Sequence, residues 1–255
     1  MIRLIQAEFG KLFSTKLWLW MLLGAVALTA LFVSLTIGFS DQATAQGGAP
    51  PLSSSTGLKN LFSAAAAANV WSLILGIVAV TGEFRHQTIT PTFLATPHRG
   101  RVVIAKLITY ALAGIAYGVA TILVAIAIAL PWLSAKNIDV SLGSDGIPGV
   151  LLGVVASVAV YSLLGVGLGA LLRNQIAAVV GALVFLLVVE PIISAVPVVR
   201  DYYKWFPGGA NNALTGAFQP NVNLLQQYQG GLLLVAYGLV FAILGSWLAV
   251  RRDVT

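Results

Sequence analysis

Six stretches of the chain run almost free of charge: 17–39, 61–81, 107–130, 147–172, 176–199 and 231–250, with Glu190 in the fifth as their one carboxylate. A 23-residue run such as 17–39 rises about 35 Å as a helix, enough to cross ~30 Å of hydrocarbon with some tilt. The pattern predicts an all-α polytopic membrane protein, a single transmembrane domain over 1–255 with six spans. Ahead of the first span, Ile2, Ile5, Phe9, Leu12 and Phe13 recur at helical spacing with Arg3, Gln6 and Lys11 between them. Residues 1–16 therefore read as an amphipathic helix in the headgroup plane. The other reading of this end is a cleaved signal peptide with Ala43-Thr44-Ala45 as its cleavage site. The first apolar run is much longer than the ~7–15 residues of a signal h-region.

The connections differ in character. Residues 40–57, SDQATAQGGAPPLSSSTG, form a Gly/Pro/Ser-rich flexible loop, and 134–146 a short polar one. Arg173-Asn174-Gln175 is a tight turn. Glu190-Pro191 is expected to break the fifth span, because the residue before proline is steered away from the helical region. The Pro131-Trp132 pair marks the interfacial end of the third span. Small residues punctuate the spans: Ala64 to Ala68 opens the second, Gly114 and Gly118 form a GxxxG face on the third, and Gly165, Gly167 and Gly169 gather near the end of the fourth. The last run has the look of a nucleotide fingerprint, but that motif needs a strand before it and a helix after it.

Composition sharpens this picture. With 58% hydrophobic and 9% charged residues and a mean hydropathy of +0.93, the chain lies far from soluble usage, where about a quarter of residues are charged. It has no cysteine, which excludes disulfides, thiolate metal sites and cysteine nucleophiles. The net charge of +6 sits in short loops beside apolar spans, which suits lipid headgroups and a partner surface and not nucleic acid. One side of six spans carries Arg3, Lys11, Lys16, Arg85, Arg99, Arg101, Lys106, Arg173, Arg251 and Arg252. The other carries Lys59, Lys136, Arg200 and Lys204. The asymmetry predicts that both termini and the 82–106 loop are cytoplasmic. The expected place is the plasma membrane, as a multi-pass protein of a bacterial inner membrane.

That loop, GEFRHQTITPTFLATPHRGRVVIAK, holds four of the fourteen basic residues between two apolar runs. Its Glu83-Phe84-Arg85 opening, the Thr88-Ile89 pair, Ala95-Thr96-Pro97, Arg99 and Lys106 resemble the first intracellular loop of ABC type 2 exporter permeases. The resemblance implies a cytoplasmic coupling helix between spans two and three that docks on a separate ATP-binding cassette subunit. Glu83, Phe84, Arg85, His86, Thr88, Ile89, Thr96, Pro97 and Arg99 would be its contacts. It also implies an elbow helix before span one and re-entrant helices within 200–229 that cap the outer mouth. ATP and Mg would sit on the partner and no cofactor on this chain. Two ATPase subunits require two membrane halves, so a second copy or a paralogous permease is implied.

Read from the residues alone, the chain lacks a GxxxxGK[ST] phosphate loop and is no ATPase by itself. Glu83 and Arg85 could equally be a solvated pair at a helix end. His86 and His98 have no cysteine or acidic cluster near them in sequence, and read as solvated and not as a metal site. An ionisable residue inside a span is a functional candidate, which singles out Glu190. Counting from Ile176 puts it about 21 Å up the fifth span, at an outer gate or at an ordinary helix end. The family's cavity is lined by spans two and five, which makes Phe62, Asn69 and Phe185 candidates for the substrate path, with plain packing as the alternative. The function implied is export of a hydrophobic or amphipathic substrate. The competing function is an ion-coupled secondary transporter or channel using Glu190. No inverted repeat favours the latter, and no paired carboxylates or metal cluster within the spans suggest an intramembrane enzyme.

Overall fold

The structure, a computed structural model, describes residues 1–87 and 99–251, with backbone alone for residue 99 and for 245–251. Every regular element among them is helical, and six helices are long and apolar enough to cross a membrane. Helix α1 (Ile2–Ser14) leads into α2 (Leu17–Gly38) and a short α3 (Ser40–Ala45). The second span is composite: α4 (Ser55–Ser63), a 3-10 segment (Ala64–Ala68) and α5 (Asn69–Arg85) follow without a break. Then come α6 (Arg99–Ala135), α7 (Ile147–Leu172), α8 (Gln175–Val184), a π-helical turn (Phe185–Val189) and α9 (Glu190–Ala195). A 3-10 segment (Arg200–Trp205), α10 (Pro207–Thr215) and α11 (Gln227–Arg251) complete the chain.

Helix ends follow local chemistry more than hydropathy. Ser54 caps α4 by accepting from the Gly57 N–H at 3.1 Å, so helix begins within the expected polar loop. The same chemistry at Asn174, which accepts from Ala177 N–H at 3.0 Å, restarts the chain after Arg173 adopts a left-handed conformation (φ 52°). The third span carries helix through Pro131 to Ala135 instead of stopping at the proline. Glu190-Pro191 does not break the fifth span either. Proline removes an N–H and crowds the carbonyl four residues back, Leu187, and the chain absorbs this by widening to a π turn over Phe185–Val189. The span ends at Ala195, before the expected Val199.

Helix α7 is the central post, packed against α5, α6, α10 and α11. Its glycines make this possible. A Cβ at Gly165 would collide with the Leu73 carbonyl of α5, and one at Gly76 of α5 with the Ser162 carbonyl of α7. Gly167 seats Phe241 of α11, and Gly169 seats Ile77 of α5. The glycine run is thus a packing surface. Gly114 and Gly118 likewise rest on Ala159 and Val155 of α7, so the GxxxG face is spent inside the chain. Two core clusters result. One centres on Phe62, Leu61, Leu75, Tyr117 and Val154, and the other on Ile77, Tyr161, Ala178, Ala210 and Leu234. The flanks of α2, of α8 with its π turn, and of α11 present large apolar side chains outward, among them Leu31, Ile176, Leu187 and Leu239, as lipid-facing helices do.

The α5–α7 approach can be tested by comparing Gly76→Ala with Gly82→Ala, whose added methyl meets nothing within 4 Å. Overpacking of this kind costs about 1–3 kcal/mol. Thermal unfolding in detergent should therefore show a lowered transition for Gly76→Ala and an unchanged or raised one for Gly82→Ala. Equal transitions would mean the two backbones are not in contact.

Candidate functional sites at the two ends of the bundle

At the end bearing α1, four charged groups close into one cluster. Glu8 lies on the apolar stripe of α1, three residues after Ile5 and four before Leu12, and is buried with Leu12. Its Oε2 is 2.5 Å from the Lys106 Nζ of α6, and its Oε1 2.7 Å from the Lys11 Nζ. Glu83 Oε1, at the end of α5, accepts from Lys11 at 2.7 Å and from Lys106 at 3.0 Å. Lys106 also donates to the Ala79 carbonyl at 3.4 Å. Among the described residues two lysines face two carboxylates, so these four groups together carry no net formal charge, as burial favours.

Burial alone would raise the Glu8 carboxyl, but Lys106 and Lys11 outweigh it and hold it below its ordinary value. Burial would lower the Lys11 ammonium, and the hydrogen bonds to Glu8 and Glu83 raise it instead. The cluster borders a cavity of about 410 Å³, lined among others by Trp18, Glu83, His86, Lys106 and Tyr110. It ties α1 to both helices that flank the 82–106 loop.

The residues expected to contact a partner therefore divide. Glu83 is turned into the chain's own ion cluster. Phe84 is half-buried, with the Arg173 guanidinium 5.1 Å over its ring. Arg85 and His86 are exposed, and α5 ends with them. Thr88, Ile89, Thr96, Pro97 and His98 lie outside the described residues, and Arg99 is described only as the backbone start of α6.

At the opposite end a chain of polar groups binds α10 to the spans. Asn69 Nδ2 donates to Ser157 Oγ and to Asn211 Oδ1, both at 2.9 Å, and Ser157 donates to the same Asn211 oxygen at 2.5 Å. Asn212 Nδ2 donates to the Tyr203 hydroxyl at 3.0 Å. Burial, and then the neighbouring Glu190 charge, push the Tyr203 phenol above its ordinary value, so it stays a neutral hydroxyl. Glu190 is 3% exposed, and its Oε1 accepts from the Gly208 N–H at 2.9 Å. Gly208 lies in the first turn of α10, so the carboxylate meets unbonded N–H groups and the positive end of the helix dipole. A side chain at Gly208 would strike Glu190.

Of the other candidates for a substrate path, Phe62 is fully buried in the first core cluster and Phe185 lines a cleft beside the π turn. Glu8, Ser157, Tyr203 and Asn211 were not singled out from sequence. Glu8 alone left a signal there, as an acidic residue on an apolar stripe. Comparison with protein-family models, curated proteins and solved structures finds no match for the chain.

Two measurements address the ion cluster. Removing one member of a buried pair costs roughly 3–5 kcal/mol, whereas an exposed pair is worth ~0–1. With side-chain exposures of 7% and 42%, Lys106→Met should destabilise far more than Lys11→Met in thermal unfolding. Equal losses would place both pairs at the surface.

The lowered Glu8 carboxyl gives stability that is full above its unfolded value and disappears as pH falls through its native one. Acid titration of the unfolding temperature should accordingly fall less steeply in Glu8→Gln than in the parent. Parallel curves would show that Glu8 carries no such linkage.

Proposed function

We propose that the chain is the membrane subunit of an ATP-driven exporter, working as a dimer with a second copy or a paralogue and moving a hydrophobic or amphipathic substrate out of the cell. The observation that carries this reading is the ion cluster at the base. Glu8, Lys11, Glu83 and Lys106 join the interfacial helix to the last turn of α5 and the second turn of α6, the two helices entering and leaving the loop. A push on that loop from a cytoplasmic ATPase would move α1, α5 and α6 together, because parting buried charges is costly. The loop's own sequence resembles a coupling element, and the basic residues favour this end as the cytoplasmic one.

In this reading the partner's contacts come from the exposed Arg85 and His86 and from the loop residues Thr88 to Arg99, while Glu83 transmits force within the chain. The 3-10 segment at Arg200–Trp205 and α10 act as the re-entrant cap, held by Glu190 and by the Asn69, Ser157 and Asn211 hydrogen bonds. Alternating access then requires these contacts to change between states.

Arg85→Ala should lower substrate-stimulated ATP hydrolysis in the assembled complex while the protein remains in the membrane at parental levels. Glu83→Ala should lower stability as well. Cysteines placed at Gln46 and Gln219 should react with an impermeant thiol reagent in intact cells, and one at Gln87 should not. The opposite labelling would invert the topology. Transport by the purified chain in liposomes, driven by a proton or sodium gradient with no ATPase present, would overturn the exporter reading in favour of an ion-coupled carrier.

A further inference from the structure

The cleft between α7, α8, α10 and α11 has a volume of about 360 Å³, at the lower end of the range for small-molecule sites. Its walls are apolar and partly aromatic. Leu164, Phe185, Leu186, Phe206 and Phe241 line it, with the Phe185 and Phe206 rings tilted at 39° and 6.1 Å apart. Two buried residues bear on this place, Tyr161 in the wall and Glu190 beside it, and each has an oxygen that accepts no hydrogen bond among the described residues. Tyr161 lines the cleft at 3% exposure, and its hydroxyl makes no hydrogen bond among the described residues.

Glu190 is the second group. It stands next to the cleft and not in its lining, one turn beyond Leu186 on the same span, and Pro207, next to its partner Gly208, is part of the cleft wall. Its Oε1 is engaged by Gly208, while its Oε2 accepts no hydrogen bond and faces no lysine or arginine among the described residues.

A buried carboxylate offset by one N–H and a helix terminus still carries a large desolvation cost, which a bound cation would relieve. An anion would be repelled, and a neutral apolar guest would leave both oxygens unpaired. Aromatic faces along the wall also favour positive charge. We propose that this cleft binds an amphipathic organic cation, its apolar body against Leu164, Phe185 and Phe206 and its charge at the Tyr161 and Pro207 end, towards Glu190. The site needs only this chain, so it stands or falls separately from the exporter reading.

The test is equilibrium binding of radiolabelled tetraphenylphosphonium to the chain in lipid nanodiscs, with the signal of empty discs subtracted. Tetraphenylborate, alike in size and shape but negative, is the control. The cation should bind saturably and the anion should not. Glu190→Gln should weaken cation binding by about tenfold or more, the worth of one contact to a charged group. Gly181 lines the cleft, and a Cβ there meets nothing within 4 Å, so Gly181→Leu can grow into the space without disturbing Glu190. It should abolish binding while the protein stays folded. No saturable binding, equal binding of both ions, or cation binding unaffected by either substitution would overturn the proposal.

Discussion

The backbone contact between α5 and α7 is the constraint on which the rest depends. Hydrocarbon offers no hydrophobic gain for pressing two apolar helices together, so close packing and interhelical hydrogen bonds must hold them. Gly76 and Gly165 remove the side chains that would keep the helices apart. At that separation short side chains can bridge: Asn69, two turns from Gly76, reaches Ser157, eight residues before Gly165. Longer side chains at the glycine positions would part the helices and strand both amides and hydroxyls in an apolar medium. The polar link to α10 is therefore a consequence of the glycine contact as much as of the residues that form it.

The two ends of the bundle solve the problem of buried charge differently. At the α1 end each carboxylate meets ammonium groups, so the charges cancel within 3.0 Å and the three helices are locked. At the far end Glu190 meets, among the described residues, a backbone N–H at the start of a helix and no cation. Lys136 shows the milder form of the second solution. Its Nζ donates to the Ile37 carbonyl at 3.3 Å and to Ser40 at 3.2 Å, meeting the negative end of α2, and Asp41 completes its surroundings. Fully paired charges resist rearrangement, whereas a carboxylate held by a dipole can exchange that partner for another donor at little cost.

The spans were legible in the sequence because hydropathy over some twenty residues is a collective signal. Their ends were not, since those depend on single residues. Ser54 captures one N–H and carries helix into a loop rich in turn formers, and a π turn lets Pro191 pass where breakage was expected. The glycine run on α7 was visible as a pattern, but which neighbour each glycine receives is a property of three dimensions. Glu83 illustrates the limit for the site. Its place at the mouth of a basic loop could be read directly, yet its direction depends on Lys106, 23 residues on, and on Lys11, 72 residues back.

The division into two core clusters gives these details a common meaning. The cluster around Phe62 and Tyr117 is bordered by the ion cluster, which ties α1, α5 and α6, and by Lys136 and the Tyr117 hydrogen bond to the Trp18 carbonyl, which tie α2 to α6 at both ends. The cluster around Tyr161 and Leu234 is joined to the first through α5 and α7, and α8 and α11 turn much of their surface outward. Its polar ties gather at one end, at Glu190, Asn211 and Gln227, which donates to the Gly149 and Leu214 carbonyls at 2.8 and 2.9 Å. Displacement of α11 and α10 against the first cluster would break the hydrogen bonds at that end. Displacement within the first would part buried charges.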